Sequence, residues 1–323
     1  MPSDPTPNVV DILAQATNAH QEGDLSRASK LYLEVLELEP NNVDALHRVG
    51  LLFLGRGQFD EAHQFLTQAV AGNPENASFL NHLGVALLNR GETEDAIDHF
   101  QKSIALDEKY VEARLNLAIV QRATDQLFAA WDTITLASQT DPTNPGILVW
   151  RGRIERECGF VQEALESLTA ASELEPENTE ALGLMGDVMV DLNDLAMAER
   201  CYRQALEIDD QLADLRARLA NCLSGGGRDD EARVEYERAV EIDGENGALW
   251  GAMALLLSRI GDDEAALSAA KKAVDLDAAN IDGHNTLATV YGRLGDATNA
   301  AAAKAMGERA RRDVRVERRA PVV

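Results

Sequence analysis

Residues 43–76 read VDALHRVGLLFLGRGQFDEAHQFLTQAVAGNPEN, and residues 77–110 read ASFLNHLGVALLNRGETEDAIDHFQKSIALDEKY. Laid over one another, they match Leu46 with Leu80, Gly50 with Gly84, Gly57 with Gly91 and Ala62 with Ala96. Outward from these two stretches the alanine recurs every 34 residues, at Ala28, Ala62, Ala96, Ala130, Ala164, Ala198, Ala232, Ala266 and Ala300. A fixed period of this size marks stacked helical repeats. Five positions before each alanine stand Gly23, Gly57, Gly91, Asp125, Gly159, Asn193, Gly227, Gly261 and Gly295. These residue types tolerate positive φ, which a left-handed helix stop requires. A third column, Asn42, Asn76, Asn144, Asn178, Asn246 and Asn280, reads as helix N-caps. Pro40, Pro74, Pro142 and Pro176 stand just before four of those caps and bar the previous helix from continuing.

Each unit resembles a tetratricopeptide repeat, with that family's order of large apolar residue, Leu-Gly, aromatic, Ala, Phe and Pro. Residues 43–76 carry Leu46, Val49-Gly50, Phe53, Ala62, Leu66, Ala69 and Pro74. Residues 77–110 carry Leu80, Leu83-Gly84, Leu87, Ala96 and Phe100, with Glu108 in the proline position. Residues 179–212 carry Leu182, Met185-Gly186, Met189, Ala198, Tyr202 and Ala205. The resemblance implies an all-α fold, a right-handed α-solenoid (superhelix) of nine 34-residue helix-turn-helix repeats. The repeats run 9–42, 43–76, 77–110, 111–144, 145–178, 179–212, 213–246, 247–280 and 281–314. Residues 1–8 are expected to be a disordered N-terminus and 315–323 a basic C-terminal tail. The first repeat has Ala16 and Ala19 where bulkier residues are usual, and the last loses the pattern after Ala300. End repeats depart in this way because one face of each has no neighbour.

Charge divides the chain. The whole carries −25, whereas residues 304–323 carry seven basic and three acidic side chains. An acidic body repels phosphates, which argues against nucleic acid as the partner. The longest apolar run, Ala248 to Leu257, is interrupted by Gly251 and is too short to span a bilayer. With no membrane segment and three cysteines (Cys158, Cys201, Cys222) outside any metal spacing, a cytoplasmic setting is expected.

No catalytic or cofactor motif is present. Gly225-Gly226-Gly227-Arg228 lacks the Lys-Ser/Thr of a phosphate loop, and Gly227 belongs to the turn column. His20, His47 and His82 fall on first helices of neighbouring repeats, but at differing positions and without a carboxylate or thiol to complete a ligand set. They are read as surface or capping histidines, so neither a metal nor a cofactor is expected.

In this family the first helix of each repeat lines a concave groove, and the resemblance places groove side chains at repeat positions 2, 5, 9, 12 and 13. Repeats two to four then offer an apolar stripe of Leu51, Leu54, Val85, Leu88, Leu115 and Ile119. A basic island of Arg122, Arg153 and Arg156 follows, with Trp150 on the face of Arg153. Trp and Arg are the types most enriched where binding energy concentrates. Gly251 and Gly292 are expected to leave the C-terminal groove less crowded. The pattern reads as a non-enzymatic scaffold holding a partner protein's peptide segment, through apolar anchors and an acidic group. Two further readings stay open. One is a substrate-recruiting arm of a glycosyltransferase- or sulfotransferase-type enzyme whose catalytic part is elsewhere. The other is weak self-association through the basic tail.

Overall fold

A computed structural model describes residues 8–317, with side chains as far as Arg312. The expected N-terminal disorder over residues 1–7 and most of the basic tail, with any self-association through it, lie outside the described residues. Among these residues every regular element is helical: α1 (Val9–Gln21), α2 (Leu25–Leu38), α3 (Val43–Gly55), α4 (Phe59–Gly72), α5 (Ala77–Asn89), α6 (Thr93–Leu106), α7 (Val111–Ala123), α8 (Leu127–Thr140), α9 (Pro145–Glu157), α10 (Val161–Leu174), α11 (Thr179–Asp191), α12 (Leu195–Ile208), α13 (Ala213–Gly225), α14 (Asp229–Ile242), α15 (Gly247–Ile260), α16 (Asp263–Leu276), α17 (Ile281–Arg293) and α18 (Ala297–Glu317). Helices α1–α8 and α11–α18 pair into helix hairpins, odd with even. Two compact units divide between Ile154 and Glu155, an amino-terminal and a carboxy-terminal one, each an α-solenoid stack of such hairpins.

The three sequence columns do the work expected of them. All nine turn residues have positive φ, from 60° at Asn193 to 83° at Gly91, Gly159 and Gly261. At the first such turn of repeat two, Gln58 N–H donates to Phe53 O at 3.0 Å and Gly57 N–H to Leu54 O at 3.0 Å. These two bonds satisfy the orphan carbonyls of α3 in the six-to-one and five-to-two pattern of a left-handed helix stop. Asn42, Asn76, Asn144, Asn178 and Asn280 each accept from the backbone N–H three residues on, at 2.7–3.2 Å. Asn246 caps α15 from Ala248 N–H at 3.1 Å.

Packing within a hairpin is a knob in a socket. The eight alanines from Ala28 to Ala266 are 0% exposed, whereas Ala300 in the final helix is half-buried. Four residues beyond each of the first seven alanines the second helix carries a large side chain: Tyr32, Leu66, Phe100, Ile134, Leu168, Tyr202 and Tyr236 are all fully or almost fully buried. In three repeats the glycine that follows the apolar residue of the first helix receives it. A Cβ on Gly50 would lie 2.6 Å from Leu66, one on Gly84 2.7 Å from Phe100, and one on Gly186 2.4 Å from Tyr202. The knob shrinks to Ala270 in α16 and becomes exposed Lys304 in α18.

The first helices of the last two repeats approach unusually closely. Asn280 Nδ2 donates to Gly247 O at 2.9 Å, and its Oδ1 would be 2.6 Å from a Cβ on Gly251. This corrects the expectation for Gly251, which is buried against the Asn280 side chain and opens no groove. Gly292 has nothing within 4 Å of where a Cβ would stand.

Candidate functional site

In the amino-terminal unit the six predicted apolar residues sit at positions 5, 9 and 12 of α3, α5 and α7. All six are half-buried, so each offers part of its surface and none stands clear of the protein. Leu54, Val85 and Leu88 also pack against the core around Leu66, Leu83, Leu87 and Phe100. The stripe therefore has a rigid floor.

At its end the structure brings together three of the four predicted polar residues. The Arg122 guanidinium lies 5.8 Å from the Trp150 ring centroid, and that of Arg153 lies 5.2 Å from it. The negative face of an indole attracts a guanidinium, worth about 0.5–2 kcal/mol according to exposure. Arg122 comes from the last turn of α7, where the carbonyl end of the helix favours a cation. One half-buried indole thus organises two cations from successive first helices.

Arg156 belongs to a different arrangement, in the carboxy-terminal unit, and this corrects its reading as part of a receptive basic island. Its Nε donates to Asp191 Oδ2 at 2.5 Å and its Nη1 to Asp187 Oδ2 at 3.4 Å. Burial opposes its charge, but those carboxylates outweigh burial and push its pKa up. Two carboxylates of α11 hold it.

Asp187 is the centre of that arrangement and was not singled out in the sequence. Its Oδ1 accepts from the Tyr202 hydroxyl at 2.9 Å, and its Oδ2 from Arg218 Nη1 at 3.0 Å as well as from Arg156. Burial first, and the Asp187 carboxylate second, push the Tyr202 phenol well above its ordinary pKa. One repeat later the Tyr236 hydroxyl donates to Asn221 Oδ1 at 2.6 Å. Burial, more than any charge, pushes the Tyr236 pKa up to about 12. The signal was present: Asp187 and Asn221 hold position 9 of their repeats, Tyr202 and Tyr236 the knob position.

Position 5 is a seam and not a groove position at several repeats. His47 is 8% exposed, stacks on Phe79 with ring centroids 4.4 Å apart, and places Nε2 3.0 Å from His82 Nδ1. Burial lowers the His47 pKa to about 3, with His82 and Arg48 adding to it. Burial also lowers that of His82, against the Ser78 hydrogen bond. So buried His47 and half-buried His82 pair between repeats, which corrects their reading as surface or capping residues. His20 lies apart, edge-on to Tyr32. Asn81 uses position 5 in the same way, accepting from Asn116 Nδ2 at 2.9 Å. Among the described residues no three His, Cys, Asp or Glu side chains group so as to hold a metal ion. No helix among them is long and apolar enough to cross a membrane.

Family models described as "Tetratricopeptide repeat" match residues 31–64, 49–111, 179–212, 198–256 and 248–280, together more than half of the chain. The chain belongs to the tetratricopeptide repeat (TPR) family. Among solved structures this TPR chain is similar to one titled as the APC/C hetero-tetramer Cut9-Hcn1, with a TM-score of 0.64 and 17% identity over 86% of this chain and 55% of that one. Pseudomonas aeruginosa pilF gives a TM-score of 0.56 and 22% identity over 66% of this chain and 97% of that one. At such identities the likeness speaks for the TPR fold alone. The Caenorhabditis elegans BBSome complex member bbs-4 is 26% identical over 195 residues, which are 58% of this chain and 40% of that protein. The TPR chain thus spans well under two thirds of bbs-4 and of the Cut9-Hcn1 chain. TPR units are protein–protein interaction repeats, and this chain is an interaction scaffold of that type.

Proposed function

We propose that the amino-terminal unit captures a peptide segment of a partner protein along α3, α5, α7 and α9. The reading rests on the Arg122–Trp150–Arg153 cluster at the end of the half-exposed stripe of Leu51, Leu54, Val85, Leu88, Leu115 and Ile119. Apolar anchors of the segment lie on the stripe, and an acidic group of the segment meets the two guanidiniums. Charge-assisted hydrogen bonds from arginine to a carboxylate are about twice as strong as neutral ones. Because the helices are already packed, ordering costs fall on the peptide alone, and a preformed surface binds with less loss than a mobile one. A cytoplasmic setting is part of the proposal and agrees with three free thiols, at Cys158, Cys201 and Cys222.

The test compares partners recovered by the intact chain with those recovered by a Trp150→Ala, Arg153→Ala double variant whose melting temperature matches the parent. A partner bound by the parent should be lost or weakened about tenfold or more. Equal retention by both proteins discards the site.

A further inference from the structure

The carboxy-terminal unit carries a second recessed surface that the reading above does not use. Two cavities of about 280 and 270 Å³ meet at Asn221, which lines both. The first lies between α11 and α13, the second between α13 and α15. Arg218 and Asn221 stand three residues apart on α13, hence on one face.

Both present donors held in place from behind. Arg218 is 42% exposed and spends one N–H on Asp187, which the Tyr202 hydroxyl and Arg156 hold in turn. Arg218 lines the larger cavity. Asn221 is exposed and commits its Oδ1 to the Tyr236 hydroxyl, so its amide nitrogen is the group left to a ligand. A guanidinium fork beside an amide N–H₂ calls for an acceptor with two oxygens. On either side an apolar side chain stands open, Val190 at 38% on α11 and Leu255 at 41% on α15. The larger cavity is lined by Arg156 and Arg218 against Asp187, the smaller by Arg259 against Asp282, so a carboxylate belongs on the Arg218 side.

We infer that Arg218 and Asn221, flanked by Val190 and Leu255, form a second peptide site that takes an extended segment with one acidic side chain between two apolar ones. The charge complementarity is local, set by Arg218 against an otherwise acidic body. Adjacent packed helices lie about 8–10 Å apart, so the two apolar residues are about 20 Å apart, or about six residues of extended chain. The acid falls between them. This inference shares with the proposed function the premise that first-helix side chains bind peptide, but it uses none of the same residues.

The probe is a labelled, end-blocked peptide of about seven residues with leucine at each end, serines between and glutamate at the centre. A twin carries lysine at the centre. Binding to the full chain is followed by fluorescence anisotropy. The parent should prefer the glutamate peptide by about tenfold or more. Arg218→Glu should reverse the preference. Asn221→Asp keeps an oxygen for Tyr236, guards against a folding defect in the first variant, and should erase much of the preference. The Trp150→Ala, Arg153→Ala variant should bind both peptides as the parent does. A parent that binds neither peptide, or Arg218→Glu and Asn221→Asp variants that keep the parent's preference, overturns the inference. Loss of the glutamate peptide only on the Trp150 change also overturns it, and leaves the amino-terminal site standing.

Discussion

Gly186 has no side chain because the Tyr202 ring fills the space where one would begin, 2.4 Å from the absent Cβ. The relation joins a first helix to the second helix of its own repeat. Gly186→Ala forces the ring or the helix aside and should destabilise the chain by about 1–3 kcal/mol. Gly292→Ala meets nothing within 4 Å and gains helix propensity, so it should stabilise by a few tenths to about 1 kcal/mol. Urea denaturation of both variants checks the pair. Equal shifts of the same sign would refute the socket.

Tyrosines at the same repeat position should differ in what their hydroxyls contribute. The Tyr202 hydroxyl is bonded to a carboxylate, and Tyr202→Phe should cost about 1.5–3 kcal/mol. The Tyr32 hydroxyl is buried with no hydrogen-bond partner, so Tyr32→Phe should be neutral or slightly stabilising. Melting curves of the two single variants decide the point.

Buried His47, paired with His82, makes stability fall on the acid side. The folded His47 pKa, about 3, lies below the ordinary 6.5, so between those values the unfolded chain binds more protons at this site. Its contribution is intact above about pH 6.5 and is lost progressively as the pH drops toward 3. His47→Asn removes that linkage. Its urea midpoint should fall less steeply than the parent's between pH 6.5 and 4, and parallel slopes would count against a buried neutral His47.

One cap should matter more than its equivalents. Asn42 and Asn280 both cap a helix, but Asn280 also donates to Gly247 O in a buried seam. Asn42→Ala should cost about 1 kcal/mol, the usual value for a cap. Asn280→Ala should exceed it by about 1 kcal/mol or more, because the Gly247 carbonyl is left without its donor. Chemical denaturation of the two variants measures the difference directly.

What could be read in the sequence was what each repeat needs for itself. Positive φ at Gly23 or Asn193, a cap at Asn178 and a small residue at Ala164 are local demands, repeated at one spacing, so they show as columns. The meeting of Trp150 with Arg122 and Arg153 was legible for the same reason, since position 12 of one repeat lies beside the first helix of the next. Arg156 misled because its partners, Asp187 and Asp191, lie more than thirty residues on. His47 and Gly251 misled because they are buried by the next first helix, through Phe79 and His82 in one case and Asn280 in the other. Side chains at a seam depend on two repeats at once, and a column read down one position at a time does not carry that dependence.

The socket at Gly186 and its knob at Tyr202 have a kinetic consequence. Both lie on one helix hairpin, so the contact closes a short loop of chain and needs no distant partner. A molecule built from such closures has low contact order and folds fast for its length. Any hairpin with a well-filled socket can nucleate, and its neighbours then add by propagation along the stack. The last hairpins, where the knob shrinks to Ala270 and then becomes Lys304, are poor places to start, so folding in the carboxy-terminal unit should begin at the Tyr202 and Tyr236 hairpins and reach α18 last.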